Sequence, residues 1–276
     1  MKWEKNKVSE LLPNDIAVVG LPFDDFSSYL KGPTKAPDKI REALNCGSSN
    51  WITESGLDLE NHPRLKDLGD IPDITHPKDV IKPMQQILNT GAKILSLGGD
   101  HSLAYGTIKA HASKFKHLTV LQMDAHTDLY DEFEGNKFSH ACPFARIMEE
   151  GLVDRLVQVG IRTVSPHQKE QAEKFGVEII QMKDFNPTQD LKLDGDIYLS
   201  LDLDVLDPAF ASGISHHEPG GMTTRQLLDF LKLQNLNLVG AEIMEYNPNR
   251  DINGMTGMVA ALFYKEIAGL MLKAFS

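Results

Sequence analysis

Residues 118–128 read Leu-Thr-Val-Leu-Gln-Met-Asp-Ala-His-Thr-Asp, an apolar run followed at once by a polar cluster. A strand that is covered on both faces has such a run, because neither face needs polar side chains. Similar runs recur at Ile16–Leu21, Ile94–Leu97, Leu156–Ile161, Val177–Ile180, Ile197–Leu201 and Leu236–Ile243. Helical patterns lie between them, at Pro37–Leu44, Pro77–Leu88, Phe144–Gly151, His167–Phe175, Thr223–Leu233 and Met258–Phe275. Strands that alternate with helices predict an α/β fold of three layers, α-β-α, around a mainly parallel central sheet.

The length and composition are those of an ordinary globular protein. The chain has 276 residues, of which 41% are hydrophobic and 24% are charged, enough to bury a substantial core. Glycine and proline are dispersed as turn residues, and the sequence has no internal repeat or long linker. We therefore interpret residues 1–276 as a single domain.

The charge and the cysteine count narrow the class of protein. A formal net charge of −11 repels polyanions, so nucleic acid and anionic membrane surfaces are not expected partners, whereas a small cationic ligand is. No apolar run in the sequence approaches the length that is needed to span a membrane. Cys46 and Cys142 are too few for a disulfide framework, and Met1–Glu10 lacks an apolar signal core. We therefore expect a cytoplasmic protein.

Ionisable residues cluster where the predicted strands end. Gly98–Ser102 (GGDHS), Asp124–Asp128 (DAHTD) and Ser200–Pro208 (SLDLDVLDP) each follow or close a strand, and Glu245 follows a fourth. In open α/β sheets, ligands bind in the crevice beyond the carboxyl ends of the strands. The four strand ends could therefore form one site.

The spacing within these clusters predicts a pair of metal ions. Residues i and i+2 of an extended segment point to one side, so Asp124, His126 and Asp128 could converge, as could Asp202 and Asp204. Four carboxylates packed together without cations would repel one another and take up protons. Two divalent ions would balance the four negative charges, and carboxylates with imidazoles suit Mn²⁺ or a similar ion better than zinc.

A simpler interpretation exists for each cluster alone. An aspartate after a strand is often only a helix N-cap or a turn residue. Three clusters of suitable residue types at strand ends favour the metal site over that alternative. Asp100 and Asp207 are expected to support the site or its turns rather than to bind the metal.

These three clusters resemble the blocks of the ureohydrolase family, which comprises arginase, agmatinase and their relatives. The family is marked by GGDHS, DAHxD and SxDxDxxDP blocks, and all three are unbroken here. The similarity extends from about Ile16 onward, and Ser215–Gly221 (SHHEPGG) and Glu245–Pro248 (EYNP) are similar to plant-type arginases and agmatinase-like relatives. The resemblance implies the arginase/deacetylase-like fold and the hydrolysis of a guanidinium group to urea and an amine.

The resemblance also implies a ligand set for two manganese ions per chain. His101 and Asp128 would bind one ion, His126 and Asp204 would bind the other, and Asp124 and Asp202 would bridge both. Paired metals lower the pKa of bound water and so provide a nucleophile at neutral pH.

Three residues are expected to take part in the chemistry. Asp128 would hydrogen-bond the activated water and help to move its proton. His140 would carry a proton to the departing amine, since imidazole titrates near neutral pH, although it could instead be a surface histidine. Glu245 would pair with the substrate guanidinium, and its structural alternative is a salt bridge with a neighbour such as Arg250.

The sequence defines the substrate less closely than it defines the candidate metal ligands. Residues 129–139 form an acidic loop unlike the loop with which animal-type arginases bind the amino-acid end of arginine. Asn136 and Ser139 are candidates for that contact here, and His216 is a further candidate, with a loop-capping role as its alternative. L-Arginine is the expected substrate, with agmatine or another ω-guanidino compound as the alternative.

Two other functions would fit parts of the pattern. One is a catalytically inactive relative that acts as a metal-binding scaffold, which the intact ligand set disfavours. The other is a deacetylase-like enzyme, which uses a single zinc and fewer carboxylates. The family resemblance suggests a homo-trimer or a homo-hexamer.

Overall fold

The structure is a computed structural model that describes residues 2–273 of the chain. Eight strands form one sheet in which all seven neighbouring pairs are parallel, in the order β2-β1-β3-β8-β7-β4-β5-β6. The strands are β1 (Ile16–Gly20), β2 (Leu65–Asp70), β3 (Lys93–Leu97), β4 (Leu118–Met123), β5 (Arg155–Ile161), β6 (Glu178–Gln181), β7 (Asp196–Asp202) and β8 (Leu238–Met244).

Within residues 2–273, seven α-helices cover the two faces of this sheet. They are α1 (Ala36–Leu44), α2 (Ile81–Asn89), α3 (Ala104–Ala112), α4 (Pro143–Glu149), α5 (Pro166–Phe175), α6 (Thr224–Leu233) and α7 (Met255–Lys273). Helices α1, α6 and α7 share one hydrophobic core with the sheet, and α2 to α5 pack into two further clusters. The predicted three-layer α-β-α fold with a parallel sheet is confirmed. The interpretation of residues 1–276 as one domain stays a prediction.

The sheet is buried on both faces, as its apolar strands require. Within β1, Ile16 and Val18 join the core under α1, α6 and α7, whereas Ala17 and Val19 join the cluster under α2. All five β1 residues are buried. Burying apolar side chains on both faces contributes about 25 cal/mol for each Å² removed from water, which makes this sheet the centre of the fold's stability.

The apolar periodicity of the sequence does not predict β2 or α3. Strand β2 reads Leu-Lys-Asp-Leu-Gly-Asp and lies at the edge of the sheet, so its side chains are partly exposed and its pattern is not a continuous apolar run. Helix α3 is buried almost all round, so it shows no polar face by which an amphipathic helix is recognised. The last predicted helix begins at Met255 rather than Met258, and its predicted end at Phe275 lies outside the described residues.

Helix α7 contradicts the expectation that no apolar segment approaches membrane-spanning length. The helix has 19 residues, and an 18-residue stretch of it has a mean hydropathy of 1.3, which would suffice to cross a membrane by length and composition. Of that stretch, 72% is buried inside the protein, where α7 packs into the core with α1 and α6. We therefore interpret α7 as a helix of the protein core.

The strand order places the polar clusters side by side. Strands β3, β8, β7 and β4 are consecutive neighbours in the middle of the sheet. Their carboxyl ends lead into Gly98–Ser102, Glu245, Ser200–Pro208 and Asp124–Asp128 respectively. Segments that are up to about 150 residues apart in sequence thus meet at one edge of the sheet, as the strand-end argument requires.

Candidate metal centre

Two glycines let the first cluster pack tightly against the sheet. A Cβ atom on Gly99 would lie 1.7 Å from the carbonyl oxygen of Phe23, and one on Gly98 would lie 1.9 Å from Sδ of Met244. Directly after them, Asp100 caps a short 3-10 helix by accepting the N–H of Ser102. This tight turn brings the His101 imidazole into the buried edge of the sheet, where 1% of the residue is exposed.

Three carboxylates surround one nitrogen of His101. Nδ1 of His101 lies 3.1 Å from an oxygen of Asp124, 3.1 Å from one of Asp128 and 3.1 Å from one of Asp202. Despite these distances, Nδ1 is buried and makes no hydrogen bond with correct geometry to any described residue. A nitrogen lone pair that faces several carboxylate oxygens without a shared proton fits a metal cation among them.

A second group of ligand atoms adjoins the first. Nδ1 of His126 lies 2.9 Å from Asp204 Oδ2 and 3.6 Å from Asp124 Oδ1. The ligand atoms of His101, Asp124 and Asp202 lie within 4.8 Å of one another, and so do those of Asp124, His126 and Asp204. Asp124 belongs to both groups. The arrangement could therefore hold two cations side by side.

The pKa values show the electrostatic cost of this packing. Burial raises the pKa of Asp202 well above its ordinary value, and the charges of Asp204 and Asp124 raise it further. Burial and the charge of Asp124 raise the pKa of Asp128 to about 6. Burial lowers the pKa of His101, but the three surrounding carboxylates raise it more, so that it lies well above 6.5. With only its own side chains to balance the charge, the cluster holds protons, which divalent cations would replace.

Two site residues have a left-handed backbone. Asp128 has φ 50° and Glu245 has φ 63°, a conformation that non-glycine residues rarely adopt. Such strain persists only where the surrounding structure imposes it, and it is concentrated at functional sites. Here it turns both side chains into the same buried crevice, where 7% of Asp128 and 4% of Glu245 are exposed.

Glu245 connects the candidate metal ligands to His140. Its Oε1 atom accepts the backbone N–H of His101 at 2.8 Å and lies 2.9 Å from Nδ1 of His140. The other oxygen, Oε2, is buried and has no hydrogen-bond partner among the described residues. The predicted alternative for Glu245, a salt bridge with Arg250, is not the contact that the structure has.

The two residues shift each other's pKa. Burial lowers the pKa of the His140 imidazole, but the Glu245 carboxylate raises it more, to about 9. Burial raises the pKa of Glu245, but the hydrogen bond and the charge of His140 lower it more. On the other side of the ring, Nε2 of His140 lies 2.8 Å from the hydroxyl of Ser28 and accepts the backbone N–H of Ser28 at 3.1 Å. The hydroxyl can serve Nε2 in either protonation state.

A cleft of about 610 Å³, including its open mouth, leads to these groups. The candidate metal ligands His126, Asp128, Asp202 and Asp204 line it, together with His140 and Glu245. His216 also lines it, and its ring centroid lies 5.2 Å from that of His140 and 5.8 Å from that of His126. The rest of the wall comes from Ser28, Tyr130, Phe133, Ala141, Thr163 and Gln168.

Asn136 and Ser139 do not line this cleft. Oδ1 of Asn136 accepts the N–H of Phe138 within its own loop, and Oγ of Ser139 accepts the N–H of Ala141. The structure thus gives both side chains local partners, and their proposed contact with substrate stays a prediction. The outer wall residues Ser28, Tyr130 and Gln168 were missed. Ser28 and Tyr130 lie in the loops that follow β1 and β4, so their positions carry a strand-end signal that could have found them, whereas Gln168 lies on α5 and carries none.

Comparisons with known proteins agree with the geometry. A sequence model described as "Arginase family" matches residues 14–269. The chain is 42% identical to "Arginase 1, mitochondrial" of Arabidopsis thaliana, over 93% of this chain and 81% of that protein. It is 31% identical to "Agmatinase" of Bacillus anthracis, over 92% of this chain and 91% of that protein. The solved structure "Arginase from Medicago truncatula" has a TM-score of 0.86 and 34% identity, over 97% of this chain and 91% of that chain.

The expected cytoplasmic location is wrong. The Arabidopsis relative is named mitochondrial, and a second arginase of that plant, also 42% identical over 93% of this chain and 80% of that protein, is named chloroplastic/mitochondrial. These names point to an organelle instead. The sequence argument failed because a low cysteine count and a polar segment at Met1–Glu10 do not identify a compartment.

Proposed function

Because the chain belongs to the arginase family, we propose that it is a binuclear manganese enzyme that hydrolyses L-arginine to L-ornithine and urea. The family and the enzyme class expected from the sequence are confirmed: the chain is a hydrolase of guanidino C–N bonds. The choice of arginine rests on the plant relatives, which are named arginases. The observation that carries the metal-dependent chemistry is the unshared, buried Nδ1 of His101 among three carboxylates.

Six side chains would hold the metal. His101 and Asp128 would bind one manganese ion, His126 and Asp204 the other, and Asp124 and Asp202 would lie between them. When bound, the two ions would lower the pKa of water and so provide the nucleophile at neutral pH. The membership of Asp124 in both ligand groups supports its bridging role.

Glu245 is suited to orient the substrate. Its Oε1 atom is fixed by His101 and His140, while Oε2 is buried and unpartnered among the described residues. A guanidinium group that donates to Oε2 would satisfy that oxygen and form a charge-assisted hydrogen bond. The substrate carbon would then lie on the side of the cleft that the metal ligands line.

His140 and Asp128 are suited to move protons. The His140 ring lines the cleft, and its Nε2 can gain or lose a proton beside the Ser28 hydroxyl. Protonated His140 would give this proton to the departing amine, which leaves poorly as an anion. Asp128 lies in the cleft next to His101, where its carboxylate would accept a hydrogen bond from the attacking water.

Agmatine is the second candidate substrate. None of the residues that line the cleft is Lys or Arg, and the polar groups of its outer wall, Ser28, Thr163 and Gln168, are neutral. A guanidino compound without a carboxylate would therefore bind without an unpaired negative charge. His216 is proposed as a contact for the distal part of either substrate, and Asn136 and Ser139 would contact it only after their loop moves.

A urea-release assay tests the proposal directly. After loading with manganese, the protein is assayed with L-arginine, agmatine and 4-guanidinobutyrate, and we expect the highest kcat/KM with L-arginine. A higher kcat/KM with agmatine than with L-arginine would contradict the arginase proposal and favour agmatinase. If no urea were released from any of the three compounds, an inactive scaffold would be favoured. Asp202→Asn and Asp128→Asn should abolish urea release, whereas the exposed Asp154→Asn serves as the matched control. Full turnover in either site variant would refute the metal mechanism.

We further propose that the chain assembles as a homo-trimer or homo-hexamer, which the family resemblance suggests. Light scattering coupled to size-exclusion chromatography measures the mass of the assembly against the 30.7 kDa chain. A monomer at micromolar concentration would contradict this proposal without affecting the proposed chemistry.

A further inference from the structure

A buried hydrogen-bond chain leads from the metal centre into the core of the protein. On the side of the His101 ring that faces away from the carboxylates, Nε2 lies 2.9 Å from the hydroxyl of Ser200. That hydroxyl donates to Oε1 of Glu242 at 2.6 Å. His101, Ser200 and Glu242 are each at most 1% exposed.

The direction of these hydrogen bonds fixes the tautomer of His101. Ser200 has a single hydroxyl proton, and it goes to the Glu242 carboxylate. The Ser200 oxygen must therefore accept a hydrogen bond from Nε2–H of His101. With the ring proton on Nε2, the lone pair of Nδ1 is directed at Asp124, Asp128 and Asp202.

Glu242 is itself held in place by two more hydroxyl groups. Its second oxygen, Oε2, accepts hydrogen bonds from Tyr198 at 2.8 Å and from Thr107 at 2.7 Å. These donors come from β7 and α3, while Glu242 lies on β8. The carboxylate is thus anchored from two neighbouring elements, and it has no solvent contact through which it could reorient.

We propose that Glu242 is a positioning residue for the metal centre, acting through Ser200 to hold His101 in its metal-binding tautomer. The proposal rests on the proposed manganese site. A carboxylate at the end of such a chain increases the basicity of the ligand nitrogen, and loss of such support costs about 10- to 100-fold in metal affinity. No contact of Glu242 with substrate is involved, because it lies beneath the metal ligands and does not line the cleft.

The effect should be confined to one of the two metal positions. The other ligand histidine, His126, has its Nε2 atom 3.6 Å from Glu218 Oε1, and Glu218 is partly exposed. His126 therefore depends on a different and more solvated carboxylate. Weakening Glu242 should release the ion at His101 and leave the ion at His126 in place.

Equilibrium manganese binding, measured by titration calorimetry and by the electron paramagnetic resonance of free Mn²⁺, tests this inference without an activity assay. Glu242→Gln should weaken one of two manganese sites by at least about 10-fold. Ser200→Ala should do the same with a smaller change of volume, so it remains informative if Glu242→Gln fails to fold. The double variant should be no weaker than Ser200→Ala alone, because Glu242 acts only through Ser200.

Tyr198→Phe is the matched control. It removes a hydroxyl from the same buried carboxylate but leaves the path from Glu242 Oε1 to His101 intact. We expect Tyr198→Phe to lower the thermal stability but to keep the manganese affinity within about 3-fold of the wild-type value. If Glu242 had only a structural role, stability and manganese affinity would fall together in all of these variants. Wild-type affinity in Ser200→Ala, or losses that add in the double variant, would overturn the inference. If the wild-type protein itself bound no manganese, the proposed function would fail first.

Discussion

One oxygen of Glu245, Oε1, lies 2.9 Å from Nδ1 of His140, and this contact determines how both side chains ionise. The carboxylate raises the pKa of the imidazole to about 9 despite its burial, while the imidazole lowers the pKa of the carboxyl group. The Glu245 carboxylate therefore favours the protonated ring, whereas the backbone N–H of Ser28, which donates to Nε2, favours the neutral ring. The protonated ring is the state that a leaving amine needs from a proton donor.

His140→Gln should lower kcat for urea release by about 10²- to 10⁴-fold, the usual contribution of a positioned acid or base. The KM of the substrate should change less, because the guanidinium contacts Glu245 rather than His140 in the proposed complex. Steady-state kinetics with manganese-loaded protein measures both constants. His117→Gln is the control, since His117 also pairs with a carboxylate, Asp154 at 2.7 Å, but is largely exposed. An unchanged kcat in His140→Gln would remove the proton-shuttle role.

The ion pair should also make stability depend on pH. The pKa of His140 is about 9 in the folded protein against about 6.5 in the unfolded chain, so the folded state binds the proton more tightly. The resulting stability is fully present below pH 6.5 and is lost as the pH rises through 9. Glu245→Gln removes the cause of this shift. The difference in free energy of unfolding between wild type and Glu245→Gln, measured with denaturant and a chelator, should therefore shrink from pH 6.5 to 9. A constant difference would contradict the raised pKa.

Removal of divalent cations should destabilise the fold as well as abolish activity. The carboxylates of the candidate metal centre repel one another, and a cation that binds only the folded state adds about 2.7 kcal/mol when its concentration is 100 times its Kd. Differential scanning calorimetry should show a lower Tm with a chelator and recovery after addition of Mn²⁺. In Asp202→Asn the Tm should respond much less to Mn²⁺. If wild type and Asp202→Asn responded equally, the stabilising ion would bind elsewhere.

Gly99→Ala should destabilise the protein by about 1–3 kcal/mol, the cost of forcing an extra methyl group into a packed site. The new Cβ would lie 1.7 Å from the carbonyl oxygen of Phe23, so the turn before His101 must move. Denaturant unfolding measures the loss, and manganese affinity should fall with it. Gly47→Ala is the control, because no atom lies within 4 Å of its added Cβ, and its effect should stay within about 0.5 kcal/mol.

The sequence was sufficient to predict the centre of the molecule. The strands that carry the clusters are mostly apolar on both faces, and the i, i+2 spacing of Asp124, His126 and Asp128 is local information. Because parallel strands end at one edge of a sheet, local motifs were enough to predict that the clusters meet. The strand order that makes β3, β8, β7 and β4 neighbours was not predictable from periodicity, since it depends on long-range pairing.

The outer wall of the cleft was poorly predicted for a physical reason. Ser28 and Gln168 lie in segments without any metal-ligand pattern, and they reach the cleft only through the fold. Asn136 and Ser139 lie shortly after the DAHTD block in sequence, but a short turn in that loop gives each a local backbone partner. The polar side chains of loops satisfy nearby backbone groups as readily as ligands, and residue type alone does not distinguish the two.

The cleft consists of a floor and a rim that come from different kinds of structure. The floor consists of His126, Asp128, Asp202 and Asp204, which lie at or just beyond the ends of central strands, whereas Ser28, Tyr130, Phe133 and Thr163 of the rim are on loops. Loops tolerate insertion and substitution that a fully buried sheet does not. Exchange of rim segments would therefore change which guanidine is accepted and leave the residues of the floor unchanged. One scaffold can in this way serve several enzymes that act on different guanidines.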